Sequence, residues 1–158
     1  MLSWNTLNRL QEFDYSTPHA CFVTICTKNR RKLFWRDVGA INDRPFALNA
    51  FGLIAEQCIR EIPNHYSAVS VDHYAILPNH IHLLLQIHTD TDGRSMIAPT
   101  ISTVVRLMKG AVSKQAGFSV WQKGFYDHVI RSEADYREIW EYIEHNPDEW
   151  IKDSLFVP

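Results

Sequence analysis

The run from Asn79 to His88 alternates. Ile81, Leu83, Leu85 and Ile87 fall on one parity, and His80, His82, Gln86 and His88 on the other. Side chains leave a strand on opposite faces in turn, so the run predicts a strand with one buried and one polar face. Residues 19–27 are rich in β-formers and predict a first strand. Between the two, Phe51, Ile54, Ala55, Cys58 and Ile59 recur at helical spacing over about 49–62, with Pro63 as the stop. Residues 68–76 read as a second strand, and the short Leu77-Pro78 connection suits an antiparallel pair with the third, 79–88.

Beyond a loop over 89–99, built around Thr91-Asp92-Gly93-Arg94-Ser95, the helical period returns. Ile101, Val104, Val105, Met108 and Val112 form the apolar face of a helix over 101–116, stopped by Gly117. A fourth strand is expected over 125–130. A last helix then begins at Ser132, a natural N-cap with Asp135 as capping-box partner, and Pro147 and the residue before it mark its stop. Its apolar stripe is Ile139, Trp140 and Ile143. Strand, helix, two strands, helix, strand is the order of an α+β, ferredoxin-like domain: an antiparallel sheet with helices on one face, followed here by a C-terminal helix.

At 158 residues and 46% hydrophobic content, the chain fills one core, and a single domain over 1–158 is expected. No charged-then-apolar leader opens it and no apolar run nears the ~20 residues of a spanning helix, so the expectation is a cytoplasmic protein without membrane contact. Cys21, Cys26 and Cys58 lack metal-finger or C-x-x-C spacing and are expected to be reduced, buried thiols.

The net charge of −2 argues mildly against a nucleic-acid partner, but its distribution does not. Lys28, Arg30, Arg31, Lys32 and Arg36 fall in one stretch without an acid, and Arg106, Lys109, Lys114, Lys123 and Arg131 form a second group opposed only by Asp127. From Glu133 onward eight acids face Arg137 and Lys152 alone. A charge run is often only a solvated face. As local phosphate-binding patches, the two groups make Lys28, Arg30, Arg31, Arg106, Lys109, Lys123 and Arg131 the candidate DNA contacts.

The chemistry concentrates in two places. His80 and His82, at i and i+2 of a strand, project from one face and can share a divalent metal, although two ordinary surface histidines would read the same way. On the last helix Tyr142 and Asn146, at i and i+4, stack on one side. Such a pair can present a phenol nucleophile and an amide oxygen together to the histidine face. Two imidazoles and an amide favour Mg²⁺ or Mn²⁺ in use, though Zn²⁺ binds imidazoles readily. Tyr136 competes with Tyr142, but its i+4 neighbour is Trp140, which is no ligand. Glu138 reads as a solvent-facing helix acid. Trp121, Phe125 and Tyr126 can stack bases or pack around the fourth strand, packing being preferred. No spacing gives His128 or His145 a role.

These segments together resemble the REP-associated tyrosine transposases, a branch of the single-tyrosine HUH transposases related to insertion sequence 200. Four blocks carry the resemblance in order: Phe22-Val23-Thr24-Ile25-Cys26-Thr27-Lys28-Asn29-Arg30, Leu77-Pro78-Asn79-His80-Ile81-His82, the run from Val120 to Arg131, and Glu141-Tyr142-Ile143-Glu144-His145-Asn146-Pro147. The resemblance implies a metal-dependent endonuclease acting on single-stranded or hairpin DNA through a covalent 5′-phosphotyrosine. It implies Tyr142 as nucleophile and His80, His82 and Asn146 as metal ligands, in a monomer or a homodimer. A non-catalytic single-strand-binding module of the same fold is the alternative. A histidine-triad hydrolase fits poorly, because Leu84 interrupts the alternation.

Overall fold

A computed structural model describes residues 19–37, 46–88, 100–148 and 150. The expected loop over 89–99 lies outside the described residues. Along the chain run β1 (His19–Cys26), a 3-10 turn at Lys28–Arg30, β2 (Trp35–Asp37), β3 (Phe46–Leu48), α1 (Ala50–Arg60) and α2 (Ile62–His65). They are followed by β4 (Val69–Ile76), β5 (His80–Ile87), α3 (Ile101–Ala116), β6 (Tyr126–Ile130) and α4 (Glu133–His145).

Four strands form one antiparallel sheet in the order β4-β5-β1-β6, the ferredoxin-like arrangement expected from the element order. Its register puts Val23 opposite Leu83 and Thr24 opposite His82. Because parity decides the face, Cys21, Val23 and Ile25 of β1 join Ile81, Leu83, Leu85 and Ile87 of β5 under α1 and α3. Phe22 and Leu84 look the other way and pack with Ala75, Leu77, Trp150 and the α4 residues Ile139 and Ile143. Helices α1 and α3 thus share one face of the sheet, and α4 closes the other. All three cysteines are buried and outside any disulfide, and burial raises the Cys58 thiol pKa.

The helix ends are set by side chains. Asn49 Oδ1 accepts from Gly52 N at 2.9 Å, Thr100 Oγ1 from Thr103 N at 3.2 Å, and Ser132 Oγ from Asp135 N at 3.1 Å. Gly117, at φ 87°, supplies the left-handed turn that ends α3. Gly52 is needed for a different reason: a Cβ there would collide with the Phe34 carbonyl oxygen.

Four local expectations are corrected. The polar, basic stretch after β1, which by composition reads as a loop, contains β2, which pairs with β3; strands of three residues are too short to show a period. Helix α1 ends at Arg60, and Pro63 sits in the first turn of α2, where its missing N–H is no loss. Trp140 is not in the core: it is 38% exposed and stacks on His73 with centroids 4.4 Å apart. Asp135 makes no reciprocal capping box; its carboxylate lies 2.7 Å from His128 Nε2. The end of α4 falls where expected: the helix stops at His145 and Asn146, the residue before Pro147, is its C-cap (φ −62°, ψ −41°).

Helix α4 is fixed to the sheet edge by Tyr136, whose hydroxyl donates to Asp72 Oδ2 at 2.7 Å. Burial, then the Asp72 carboxylate, pushes the Tyr136 pKa up to about 12. The protonated phenol is the bound form, so this contact contributes in full below the reference value of about 10 and is lost as pH rises toward about 12. Tyr136→Phe should lower unfolding free energy by about 1–2 kcal/mol at neutral pH. Urea unfolding at successive alkaline pH values should show the gap between the two proteins closing. A gap that stays constant through that window would show that the phenol proton has no part in docking α4.

Candidate active site

His80 and His82 are 0% and 1% exposed, and their neighbours explain how two imidazoles tolerate burial. Thr24, opposite His82 on β1, places Oγ1 2.9 Å from His82 Nδ1. Asn79 Oδ1 lies 2.8 Å from His80 Nδ1, while the same amide's Nδ2 donates to the Arg30 carbonyl at 3.5 Å. With the amide oxygen facing it, His80 Nδ1 is the donating nitrogen of this contact, and Nε2 is turned toward the other histidine. That Nε2 lies 3.2 Å from His82 Nε2.

This geometry suits a shared cation. Two nitrogens each about 2.0–2.1 Å from one metal, at tetrahedral or octahedral angles, lie about 3 Å apart. Outer nitrogens held by an amide oxygen and a hydroxyl are the support that orients metal-binding histidines. Among the described residues no three His, Cys, Asp or Glu side chains converge. A third protein donor from them would therefore be of another type, and the Asn146 amide is the candidate.

Helix α4 brings the rest. Tyr142 sits with its ring centroid 5.4 Å from His82 and 6.1 Å from Phe22, edge-on to both. Asn146, one turn later on the same side of the helix, is buried. Trp150 follows and packs 5.9 Å from His80 and 6.2 Å from Trp35, whose indole N–H donates to the Ile76 carbonyl at 2.7 Å. The histidine pair and Tyr142 thus meet within one chain. Tyr136 is directed to Asp72 instead, Glu138 and His145 are exposed, and His128 is joined to Asp135.

The candidate DNA contacts are not all together. Lys28, Arg30 and Lys123 line one cleft of about 670 Å³. Lys109 is half-buried, and its ammonium donates to the Gln122 and Gly124 carbonyls at 2.9 and 2.8 Å. Burial lowers its pKa. Arg31 and Arg131 are exposed, as is Arg106 on α3, the layer on the far side of the sheet from the histidines. Trp121 is buried against Phe34 with its N–H on the Lys109 carbonyl, so it packs as preferred. Sequence reasoning missed Thr24, Asn79 and Trp150. Only Asn79 carried a signal, by its adjacency to His80.

The sheet order and a histidine pair faced by a tyrosine helix define a ferredoxin-like domain built around a strand H-x-H. A family model described as "Transposase IS200 like" matches residues 19–146, and the chain belongs to that family. It is 33% identical to an "Uncharacterized protein" of Haemophilus influenzae over 94% of this chain and 91% of that one. It is also 25% identical to a "Putative REP-associated tyrosine transposase" of the same organism, over 85% of this chain and 73% of that one. Among solved structures it is similar to a REP-associated tyrosine transposase bound to a REP hairpin. The TM-score is 0.62 at 20% identity, covering 91% of this chain and 74% of that chain.

The support around the rings can be tested directly. Asn79→Ala removes the acceptor that fixes the His80 tautomer, and should weaken Mn²⁺ binding about 10–100-fold. Calorimetric titration against the parent protein measures it. Equal Mn²⁺ affinity in the two proteins would mean that Asn79 does not orient a ligand.

Proposed function

We propose that this chain nicks and rejoins single-stranded DNA, with Tyr142 as the attacking group and a covalent 5′-phosphotyrosine as the intermediate. The observation that carries this reading is the convergence of Tyr142 on the buried His80–His82 pair of its own chain. Tyr142 lies against the histidines of its own chain, which supports cutting in cis. Its DNA is a single strand beside a hairpin formed by a palindromic repeat; the similar protein with a bound REP hairpin supports that choice. Among the described residues no helix is long and apolar enough to cross a membrane.

In the proposed step the Tyr142 oxygen attacks phosphorus in line. The Oη–P bond forms, the bond from phosphorus to the 3′-oxygen breaks, the phenol proton leaves to solvent, and the departing oxygen takes up a proton as a 3′-hydroxyl. One ester is exchanged for another, so a 3′-hydroxyl can attack in turn and release the tyrosine. His80, His82 and the Asn146 amide would hold Mg²⁺ or Mn²⁺, which when bound withdraws charge from the phosphoryl oxygens. Asn79 and Thr24 keep the inner nitrogens aimed at each other, and α4 keeps the phenol beside them. Lys28, Arg30 and Lys123 contribute the positive surface for the strand.

The reaction leaves a trace that binding cannot. With a single strand that carries a palindromic-repeat hairpin and unpaired flanks, the protein should form an adduct that survives denaturation and labels with the DNA 5′ end. Tyr142→Phe should bind that strand normally and give no adduct. His80→Ala should lose adduct and Mn²⁺ binding together, whereas Tyr136→Phe should keep most of the activity. A normal adduct from the Tyr142→Phe protein would falsify the assignment.

A further inference from the structure

The Lys28–Arg30 turn and the 119–123 segment border the open surface cleft of about 670 Å³, lined by Lys28, Asn29, Arg30, Trp121, Gln122 and Lys123 among others. Its two walls are joined at their base. Lys28 N donates to the Val120 carbonyl and Gln122 N to the Cys26 carbonyl, each at 2.9 Å. Thr27 bridges to Trp121, and the half-buried Lys109 ammonium ties down the carbonyls of Gln122 and Gly124. The cleft is therefore built into the fold, and its volume falls within the roughly 300–1,000 Å³ of ligand clefts.

Two features mark it for a ligand. First, Asn29 and Arg30 both hold left-handed angles, φ 56° and 53°. Asparagine tolerates that region, but arginine rarely adopts it, and strain of this kind persists at binding sites where the surroundings hold it. Here Arg30 N donates to the Thr27 carbonyl at 3.1 Å, and Thr27 Oγ1 donates to the Arg31 carbonyl at 2.8 Å. Secondly, the lining mixes charge with amides. Among the described residues no carboxylate pairs with Lys28, Arg30 or Lys123. Cations alone would serve a phosphate backbone. Asn29 and Gln122 add side chains that both donate and accept, the groups that read base edges.

We propose that this cleft is a subsite for one unpaired nucleotide of the strand to be cut, its phosphates on Lys28, Arg30 and Lys123 and its base discriminated by Asn29 and Gln122. A base already paired in a duplex has no free edge to enter such a cleft. Asn79 touches both the Arg30 carbonyl and His80, so the subsite adjoins the proposed cutting site. This assignment deepens the reading of the chain as a single-strand cutter and rests on it.

The test needs neither cleavage nor a known target. Fluorescently labelled single-stranded homopolymers of deoxyadenosine, deoxycytidine and thymidine are titrated in chelator, with affinity read by anisotropy. The parent protein should rank the three with a spread of about tenfold or more. Asn29→Gly suits the left-handed backbone and so spares the fold, and Gln122→Ala is the second probe. Each should compress the ranking to within about twofold, with the salt dependence intact because the cations remain. Replacing Lys28 and Lys123 by alanine should instead weaken all three equally and flatten the salt slope. Equal affinities in the parent protein, or a parental ranking kept by both amide variants, would overturn the subsite. The adduct assay separates the two readings. A protein that forms no adduct but loses base ranking on Asn29→Gly keeps the subsite and loses the cutting; one that forms the adduct but binds all three polymers alike loses the subsite alone.

Discussion

Burial of two imidazoles on one face of β5 is the constraint from which the rest of the site follows. Four ring nitrogens sit out of water, and a buried polar atom without a partner costs about 1–3 kcal/mol. The two outer nitrogens are met by Thr24 and Asn79. The two inner ones face each other across 3.2 Å, a distance that needs a proton or a cation between two lone pairs. Meeting those needs dictates a threonine at one register position of the neighbouring strand, an asparagine at the turn into β5, and an apolar cover over the face. Phe22 stacks 5.2 Å from His82, and α4 with Trp150 completes the cover.

Closing that face makes the placement of α4 decisive, and β4 is shaped for it. A register shift between Val71 and His73 lets Asp72 and His73 together occupy the space of one residue. Asp72 receives the Tyr136 hydroxyl, supported by Ser70 Oγ at 3.0 Å, and His73 lies under Trp140 and 2.7 Å from Glu144. From the opposite edge of the sheet, His128 on β6 reaches Asp135. The partly exposed imidazole–carboxylate pairs contribute little adhesion. Adhesion comes from Ile139 and Ile143, fully buried against Phe22 and Leu84. The same two side chains fix which side of the helix faces the sheet, which brings Tyr142 against His82, while the polar contacts hold its flanks.

Periodicity carried most of the fold because each long element buries one face and shows it. The alternation in β5, the Val104–Met108–Val112 stripe of α3 and the capping serine of α4 are local records of which side is inside, and such patterns located the seven main elements to within a residue or two. What was not legible is what no local pattern records. The three-residue strands β2 and β3 have no period. Trp140's neighbour is His73, which a bulge on another strand sets opposite Leu84, on the face that α4 covers. In the site, His80, His82 and Tyr142 were readable because their spacing is itself a geometric statement. Thr24 was not, since a threonine in a strand is ordinary until the register between β1 and β5 places it against a histidine. Nor was the half-burial of Lys109, which looks in sequence like any basic residue on a helix.

The same separation of local from global applies to charge. A net charge of −2 misdescribes the surface a strand would meet. The acids concentrate on α4, where Glu133, Glu138, Glu141 and Glu144 are exposed, while Lys28, Arg30 and Lys123 gather around the cleft beyond the other end of β1. A phosphate backbone is repelled along the outside of α4 and attracted over the Lys28–Arg30 turn, and within a Debye length of about 8–10 Å those local signs outweigh the sum. Approach over α4 is thereby disfavoured, and the side of the cleft, which Asn79 joins to His80, is left as the electrostatically open route to the tyrosine. The acidic helix that makes the chain look unlike a nucleic-acid protein is, on the proposed function, what gives the approach its direction.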